Sequence, residues 1–323
     1  MDKTKIKKIL VISLSNIGDI ILTFPVVDIL KKHFPQASLD CVIGPKGESL
    51  FSGNPQISRS HIFDKRQSWN KTWHWIRRLH QEHFDLIVDL RNTAIPFFLG
   101  ARLRTPFFLK RSPKRHMLEQ HLARLRTVVP FTHKAREKRA VFIPQETRDK
   151  MNDLLRSKMG TLRGFVVVSP GAADDAKRWN EAGFRCVCDR LAGDPSRKIV
   201  FVGDEHDKPV VRRIRESMKN PSADLSGQTT LVELAALFQM SDLAIVNDSA
   251  PLHLASYLDV PVVAIFGPTD PVRYGPWSQR SRTVSRKEEC PACRAPQNRQ
   301  EHTCMKNVTA QDVLKAVEEI SAL

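Results

Sequence analysis

The stretch DLAIVNDSAPLHLASYLDVPVVAIFGPTDP, residues 242–271, holds two short apolar runs with a helix signal between them. The runs at 243–246 and 262–266 are typical of buried parallel strands. Ser249 is placed as an N-cap and Pro251 in the first turn, which predicts a helix directly after the first strand. Because a helix N-terminus at the carboxyl end of a strand favours anions, this stretch predicts a site for a phosphorylated ligand.

The same alternation of apolar runs and helical patterns recurs along the whole chain. The strand-like runs include residues 9–14, 38–43, 61–63, 85–90, 165–168 and 198–203. Alternation of this kind predicts an α/β fold with two Rossmann-like, doubly wound parallel sheets.

The chain of 323 residues is long enough for two domains. We place an N-terminal domain at 1–159, whose last helix bridges the halves, and a C-terminal domain at 160–308. The remaining segment, 309–323, is predicted to be a helix that packs back toward the N-terminal domain. Two such domains are expected to face a central cleft, which is the default ligand site.

Positive charge is concentrated in one part of the chain. The net charge is +16, and the segment from Arg91 to Arg139 carries 13 Lys or Arg against 2 acidic residues. This excess is either a solvated surface or a contact for a phosphorylated partner. Because aromatic residues in this segment are too few for a base-stacking platform, we favour an anionic membrane surface or acceptor over nucleic acid.

The sequence predicts a cytoplasmic location. No apolar run approaches the length of about 20 residues that spans a bilayer. The run at 9–14 is too short for the core of a signal peptide.

In the helical segment near residues 68–80, Trp69, Trp73 and Ile76 have helical spacing and are predicted to be core residues.

The six cysteines fall into two groups. Three are expected to be reduced core residues in apolar segments: Cys41, Cys186 and Cys188. The others, Cys290, Cys293 and Cys304, form a CxxC followed by a later cysteine, with His302 nearby. These are metal-ligand types, but their spacing matches no common zinc knuckle. A structural metal, a reduced cluster and a disulfide all remain open, the last being least expected in the cytoplasm.

Polar residues follow the predicted strand ends, where open α/β sheets bind ligands. Asp19 follows the first strand and is either a helix cap or a catalytic group. The turn at 169–173 contains Ser169 and Gly171 and is followed by Lys177 and Arg178. This pattern is suited to binding phosphate, although its spacing is not that of a P-loop.

Acidic residues follow the strand at 198–203. Asp204, Glu205 and Asp207 are each candidates for a ribose contact, and helix capping is the alternative for each.

Four segments together resemble one family. They are SNIGDI (15–20), KRW (177–179), NDSAPLHL (247–254) and FGPTDP (266–271), which are similar to the SxxGD, KxW, NDSGPxHL and FGPTDP motifs of the bacterial lipopolysaccharide heptosyltransferases, glycosyltransferase family 9. The resemblance covers nearly the whole chain in the right order and implies the GT-B fold. The chain departs from the family at Ala250, where the family has Gly, and at Asn16, where it has Ser. We expect the Ala250 side chain to limit how closely a phosphate can approach the backbone.

The resemblance implies an inverting, metal-independent transfer with no cofactor, in which Asp19 is the general base and Lys177 contacts the diphosphate. Together with the strand ends, it predicts a donor site of Ser169, Gly171, Lys177, Arg178, Glu205, Asp248, Ser249, Ala250, Pro251 and His253. The predicted acceptor site comprises Asn16, Gly18, Arg91, Lys114, Arg115, His121 and Arg124.

The implied partners are ADP-heptose, or another nucleotide sugar, and a lipid A–core acceptor that contains Kdo. We expect a monomer, peripheral on the cytoplasmic face of the inner membrane, that binds no nucleic acid. The alternatives are a GT-B transferase or epimerase with another nucleotide sugar, and a non-enzymatic module that binds nucleic acid or membranes.

Overall fold

A computed structural model describes residues 5–13, 16–51, 53–109, 112, 115–132, 137–295 and 301–322. The chain divides into two compact units, Met1–Phe142 and Ile143–Leu323. Each unit is built on one parallel β-sheet flanked by helices, which confirms the predicted α/β class with two Rossmann-like sheets.

The first unit has five parallel strands in the order β3-β2-β1-β4-β5. The strands are β1 (Lys8–Ile12), β2 (Ser38–Ile43), β3 (Arg59–Ile62), β4 (Leu86–Asp89) and β5 (Leu103–Arg104). The helices are α1 (Ile17–Ile21), α2 (Phe24–His33), α3 (Glu48–Phe51), α4 (Trp69–His80), α5 (Ile95–Leu99) and α6 (Met117–Arg126). The strand order reverses between β1 and β4, which is the point where such sheets bind ligands.

The second unit has six parallel strands in the order β11-β10-β9-β6-β7-β8. The strands are β6 (Phe165–Ser169), β7 (Lys198–Phe201), β8 (Ala223–Asp224), β9 (Leu243–Asn247), β10 (Val262–Phe266) and β11 (Ser281–Ser285). The helices are α7 (Gln145–Met159), α8 (Glu181–Ala192), α9 (Lys208–Ser217), α10 (Leu231–Met240), α11 (Ala250–Tyr257), α12 (Pro271–Tyr274), α13 (Pro291–Arg294), α14 (Cys304–Asn307) and α15 (Ala310–Ser321). The order reverses between β6 and β9.

The stretch 242–271 forms β9, α11 and β10, as its pattern predicts. Every residue of both strands is buried, because β9 pairs with β6 on one side and β10 on the other, and helices cover the faces of such sheets. Ser249 is the N-cap of α11 and has extended backbone angles.

The boundary between the units precedes α7 instead of following it at residue 159. Helix α7 buries Met151 and Leu155, and Lys150 forms an ion pair with Glu233 of α10 in the second unit. The C-terminal helix α15 also differs from its prediction. It packs against β10, β11 and α8 of the second unit, because its apolar face completes the core of that sheet.

The prediction for two tryptophans was wrong. Trp69 is 82% exposed and Trp73 is 48% exposed. The buried edge of this helix begins further along the chain, at Ile76 and Leu79. Trp73 lies about one turn before Ile76, and Trp69 is the first residue of the helix.

No helix within the described ranges combines the length and the apolar composition that crossing a bilayer requires.

Candidate active site

Asn247 joins the two turns that follow β6 and β9. Its amide nitrogen donates to the Pro170 carbonyl at 2.7 Å, and its side-chain oxygen accepts from the Trp179 backbone N–H at 3.3 Å. Because Asn247 is fully buried, both contacts are shielded from water. The predicted donor site omitted this residue, although it is the first residue of the NDSAPLHL motif.

Lys177 and Asp248 form an ion pair across the same two turns. The Lys177 Nζ atom lies 2.8 Å from Asp248 Oδ2. The carboxylate is buried, whereas the lysine side chain is about one-third exposed. A buried anion therefore holds a partly solvated ammonium group beside the N-terminus of α11.

Ser249 does not cap α11 with its side chain. Its hydroxyl donates to the Asn247 carbonyl at 3.2 Å, so it leaves the first turn of the helix to other acceptors. Ala250 and Pro251 follow as the first two helical residues, both half-buried. Within the described part of the chain, left-handed non-glycine residues are His83, Asn92 and Asp259. The backbone at Ala250 therefore does not require glycine.

The turn after β6 packs closely on the acidic segment after β7. A Cβ atom on Gly171 would lie 2.2 Å from the Asp207 carboxylate, so only glycine fits there. Burial raises the pKa of Asp207, whose carboxylate accepts the Asp204 N–H in a capping box. Asp204 and Asp207 thus have structural roles, whereas Glu205 is exposed and pairs with Lys208 at 2.6 Å.

The remaining donor-site predictions lie in the same region. Arg178 donates through Nε to the Ala172 carbonyl at 2.8 Å and forms an ion pair with Asp175. Both partners lie in the same loop as Arg178. Ser169 is the buried last residue of β6. His253 is buried on α11, and its ring stacks on Trp277 with centroids 5.9 Å apart. No sequence pattern marked Trp277 as a site residue.

In the first unit, Asp19 lies on α1, directly after the end of β1. It is half-buried, and its Oδ2 atom accepts from the Asn16 amide at 3.1 Å. Asn16 is the N-cap residue of α1, but its side chain makes no capping hydrogen bond, and its amide orients the carboxylate instead. Gly18 is half-buried on the same helix, and Ser15 lies outside the described residues. Asn16, which stands where the family has Ser, therefore takes part in positioning Asp19.

A pocket of about 250 Å³ lies beside α6. It is lined by Leu90, Asn92, Leu109, Ser112, Arg115, Met117, Gln120, His121, Ala123 and Arg124. Three residues of the predicted acceptor site, Arg115, His121 and Arg124, therefore come together. Arg91 lies between two lining residues and is half-buried, whereas Lys114 lies outside the described residues.

Asp89 ends β4 at this pocket and was not predicted as a site residue. Burial raises the pKa of its carboxyl group, although N–H groups of Arg91 and Thr93 donate to it and oppose the shift. The buried guanidinium of Arg124 donates to the Asp89 and Pro106 carbonyls, which makes Arg124 a brace of the pocket wall. Because Asp89 pairs with Ile12 of β1, the pocket and Asp19 follow neighbouring strands.

The family model described as "Glycosyltransferase family 9 (heptosyltransferase)" matches residues 72–304. The chain belongs to glycosyltransferase family 9. This membership makes it an enzyme of the glycosyltransferase class, as the four motifs predict, and argues against a non-enzymatic module.

Known proteins resemble this family 9 glycosyltransferase over most of its length. It is 28% identical to lipopolysaccharide heptosyltransferase 3 of Escherichia coli over 287 residues, which cover 81% of the chain and 84% of the relative. The crystal structure of the glycosyl transferase family 9 from Veillonella parvula DSM 2008 has a TM-score of 0.81 at 23% identity, with 97% of each chain covered. The structure of E. coli heptosyltransferase WaaC with ADP-2-deoxy-2-fluoro heptose has a TM-score of 0.69 at 16% identity, covering 97% and 99%. The similarity in fold confirms the predicted GT-B class.

Proposed function

We propose that this family 9 glycosyltransferase transfers a heptose from ADP-heptose to the inner core of lipopolysaccharide, by inversion and without a metal in the chemical step. The observation that carries the proposal is the Lys177–Asp248 ion pair beside the N-terminus of α11. The names of the E. coli relative and of the WaaC complex support the choice of acceptor and donor.

The donor half of the mechanism rests on charge. In the free protein the Lys177 ammonium faces Asp248, and a diphosphate would meet the same ammonium from the solvent side. As the bond from the anomeric carbon to the phosphate oxygen breaks, the departing ADP gains negative charge. Lys177 and the N-terminal dipole of α11 would stabilise that charge, which is the task a metal performs in other transferases.

The acceptor half rests on Asp19. In a single displacement, an acceptor hydroxyl forms a bond to the anomeric carbon while ADP leaves, and its proton passes to the Asp19 carboxylate. The Asn16 amide donates to the Oδ2 atom of Asp19 at 3.1 Å and so orients the carboxylate. Inversion follows because the hydroxyl attacks the face opposite the leaving group.

The pocket beside α6 would bind anionic groups of the acceptor. Arg115 is exposed at its rim, and His121 lies in its wall. Carboxylate or phosphate groups of a Kdo-containing core suit this charge, because guanidinium groups bind such oxyanions in a bidentate manner.

A transfer assay tests the proposal directly. We expect the chain to release ADP from ADP-heptose in the presence of a lipid A–core acceptor, and to add one heptose that mass spectrometry detects on the product. Activity should not require added Mg²⁺ or Mn²⁺. Faster turnover of a uridine nucleotide sugar than of ADP-heptose would show that the donor assignment is wrong.

An exposed aromatic surface on the first unit supports the proposal of a membrane-bound acceptor. This aromatic surface consists of Trp69, Trp73, Phe97 and Phe98. The rings of Trp73 and Phe98 lie 5.9 Å apart, and the Arg104 guanidinium lies 5.1 Å from the Phe97 ring. Exposed aromatic rings beside basic groups favour the interface of an anionic bilayer.

Loss of the aromatic surface should weaken membrane binding. We expect Trp69→Ser/Phe98→Ser to lower binding to phosphatidylglycerol-containing vesicles by at least about tenfold, because each buried aromatic ring contributes more than about 1.5 kcal/mol. Vesicle co-sedimentation measures this. Phe142→Ser, which removes an exposed ring outside this surface, is the control. Equal binding of the double variant and the parent would contradict the proposal.

A further inference from the structure

Three cysteines and one histidine converge in the segment that follows β11. They are Cys290, Cys293, His302 and Cys304, and one ligand atom from each lies within 4.8 Å of all the others. Cys293 Sγ lies 3.9 Å from Cys304 Sγ and 3.4 Å from His302 Nδ1. The fold thus brings together ligands whose sequence spacing resembles no common zinc knuckle.

These distances are those of a tetrahedral zinc site. With sulfur ligands at about 2.3 Å and nitrogen at about 2.0 Å, two sulfurs around tetrahedral zinc lie about 3.8 Å apart, and a sulfur and a nitrogen about 3.5 Å apart. A disulfide requires sulfurs about 2.05 Å apart, and the thiols of all three cysteines are free. Cys293 and Cys304 therefore form no disulfide in this structure.

The surroundings of the cluster also suit a metal. Cys290 and Cys304 are fully buried, and the Thr303 N–H donates to Cys290 Sγ at 3.4 Å, which is a contact that supports a thiolate ligand. The two helices here, α13 and α14, have four residues each. The buried cluster of Cys290, Ala292 and Cys304 is small, and the main core of the second unit reaches α14 through Met305.

We propose that Cys290, Cys293, His302 and Cys304 bind one zinc ion. Three thiolates and one imidazole complete a tetrahedral shell, so the site is closed to substrate and structural. The ion takes no part in glycosyl transfer.

The proposed zinc site supports the donor side of the sheet. Helix α14 begins at Cys304, and its next residue, Met305, packs where a Cβ on Gly267 would lie, 2.9 Å from Met305 Cγ. Three residues further on, the Val308 carbonyl accepts from Trp179 Nε1 at 3.0 Å. Trp179 is two residues from Lys177. The ion would therefore anchor the segment that contacts both the end of β10 and the loop between β6 and α8, which carries Lys177.

Metal analysis of the full chain, produced without a polyhistidine tag, tests the inference. We expect about one zinc per chain by mass spectrometry, and visible d–d bands of tetrahedral Co²⁺ after exchange. Cys293→Ser, at a partly exposed position, and Cys293→Ser/His302→Ala should retain less than about a tenth of the metal. Cys186 was predicted to be a core residue, but it is exposed because α8 buries Val187 and Cys188 on its other side. Cys186→Ser is therefore the matched control and should retain all of the metal.

Stability provides a second readout. Removal of the metal by a chelator should lower the Tm by about 5 °C or more, and added zinc should restore it. The Cys293→Ser variant should melt at the lower temperature with or without chelator. Parent protein that holds less than about a tenth of an equivalent of zinc, both as purified and after reduction and incubation with zinc, would overturn the inference. Stoichiometric iron in place of zinc would overturn the assignment of the ion.

Discussion

Asp19→Ala should lower kcat by about 10²–10⁴-fold and leave the Kd for ADP-heptose within about twofold. The carboxylate is proposed to accept the proton of the acceptor hydroxyl, a task confined to the transition state, so its loss affects kcat and not donor binding. Asp19 follows β1 in the first unit, whereas the donor residues follow β6 and β9 in the second. Isothermal calorimetry with ADP-heptose and a steady-state transfer assay measure the two effects separately.

Two further variants sharpen this prediction. Asn16→Ala removes the amide that orients the carboxylate, so we expect a smaller loss in kcat of about tenfold, corresponding to about one hydrogen bond. Glu48→Gln, which neutralises an exposed carboxylate on α3, is the matched control and should leave kcat unchanged. If Asp19→Ala retained the parental kcat, Asp19 would not be the base.

Lys177→Ala should lower kcat/KM for ADP-heptose by about 10²–10³-fold and also destabilise the protein. Activity falls because the variant lacks the positive charge that would stabilise the departing diphosphate. The loss of stability has a different cause, because the variant leaves the buried Asp248 carboxylate without its cation, at a cost of about 1–3 kcal/mol. Transfer kinetics and denaturant unfolding measure the two losses.

A double variant separates the two roles of Lys177. In Lys177→Ala/Asp248→Asn the buried charge is gone, so we expect the free energy of unfolding to recover by more than half, whereas kcat/KM remains low. Lys208→Ala is the matched control, since it breaks the exposed Lys208–Glu205 pair and should cost less than about 1 kcal/mol. Recovery of both properties in the double variant would show that Lys177 has only a structural role.

The pattern of residues 242–271 predicted β9, α11 and β10 correctly, because apolar runs and cap residues act over a few neighbouring positions. The same reasoning failed for Trp69 and Trp73, whose helical spacing predicted burial. Burial on α4 depends on where the sheet lies beneath the helix, and a local period carries no information about that. The unit boundary was misplaced for a similar reason, since α7 is held by Glu233, more than eighty residues away.

Among the described residues, the sequence alone therefore determined the positions of the strands other than β5, β8 and β11, the class of both sheets and the motif residues at the strand ends. They depend on alternation, turn chemistry and helix capping, which are local properties. Only the tertiary structure decided that Asn247 joins the turns after β6 and β9, that Asp89 and Arg124 brace one pocket, and that three cysteines and His302 surround one point. These arrangements join segments distant along the chain, and their geometry exists only once the sheets have formed.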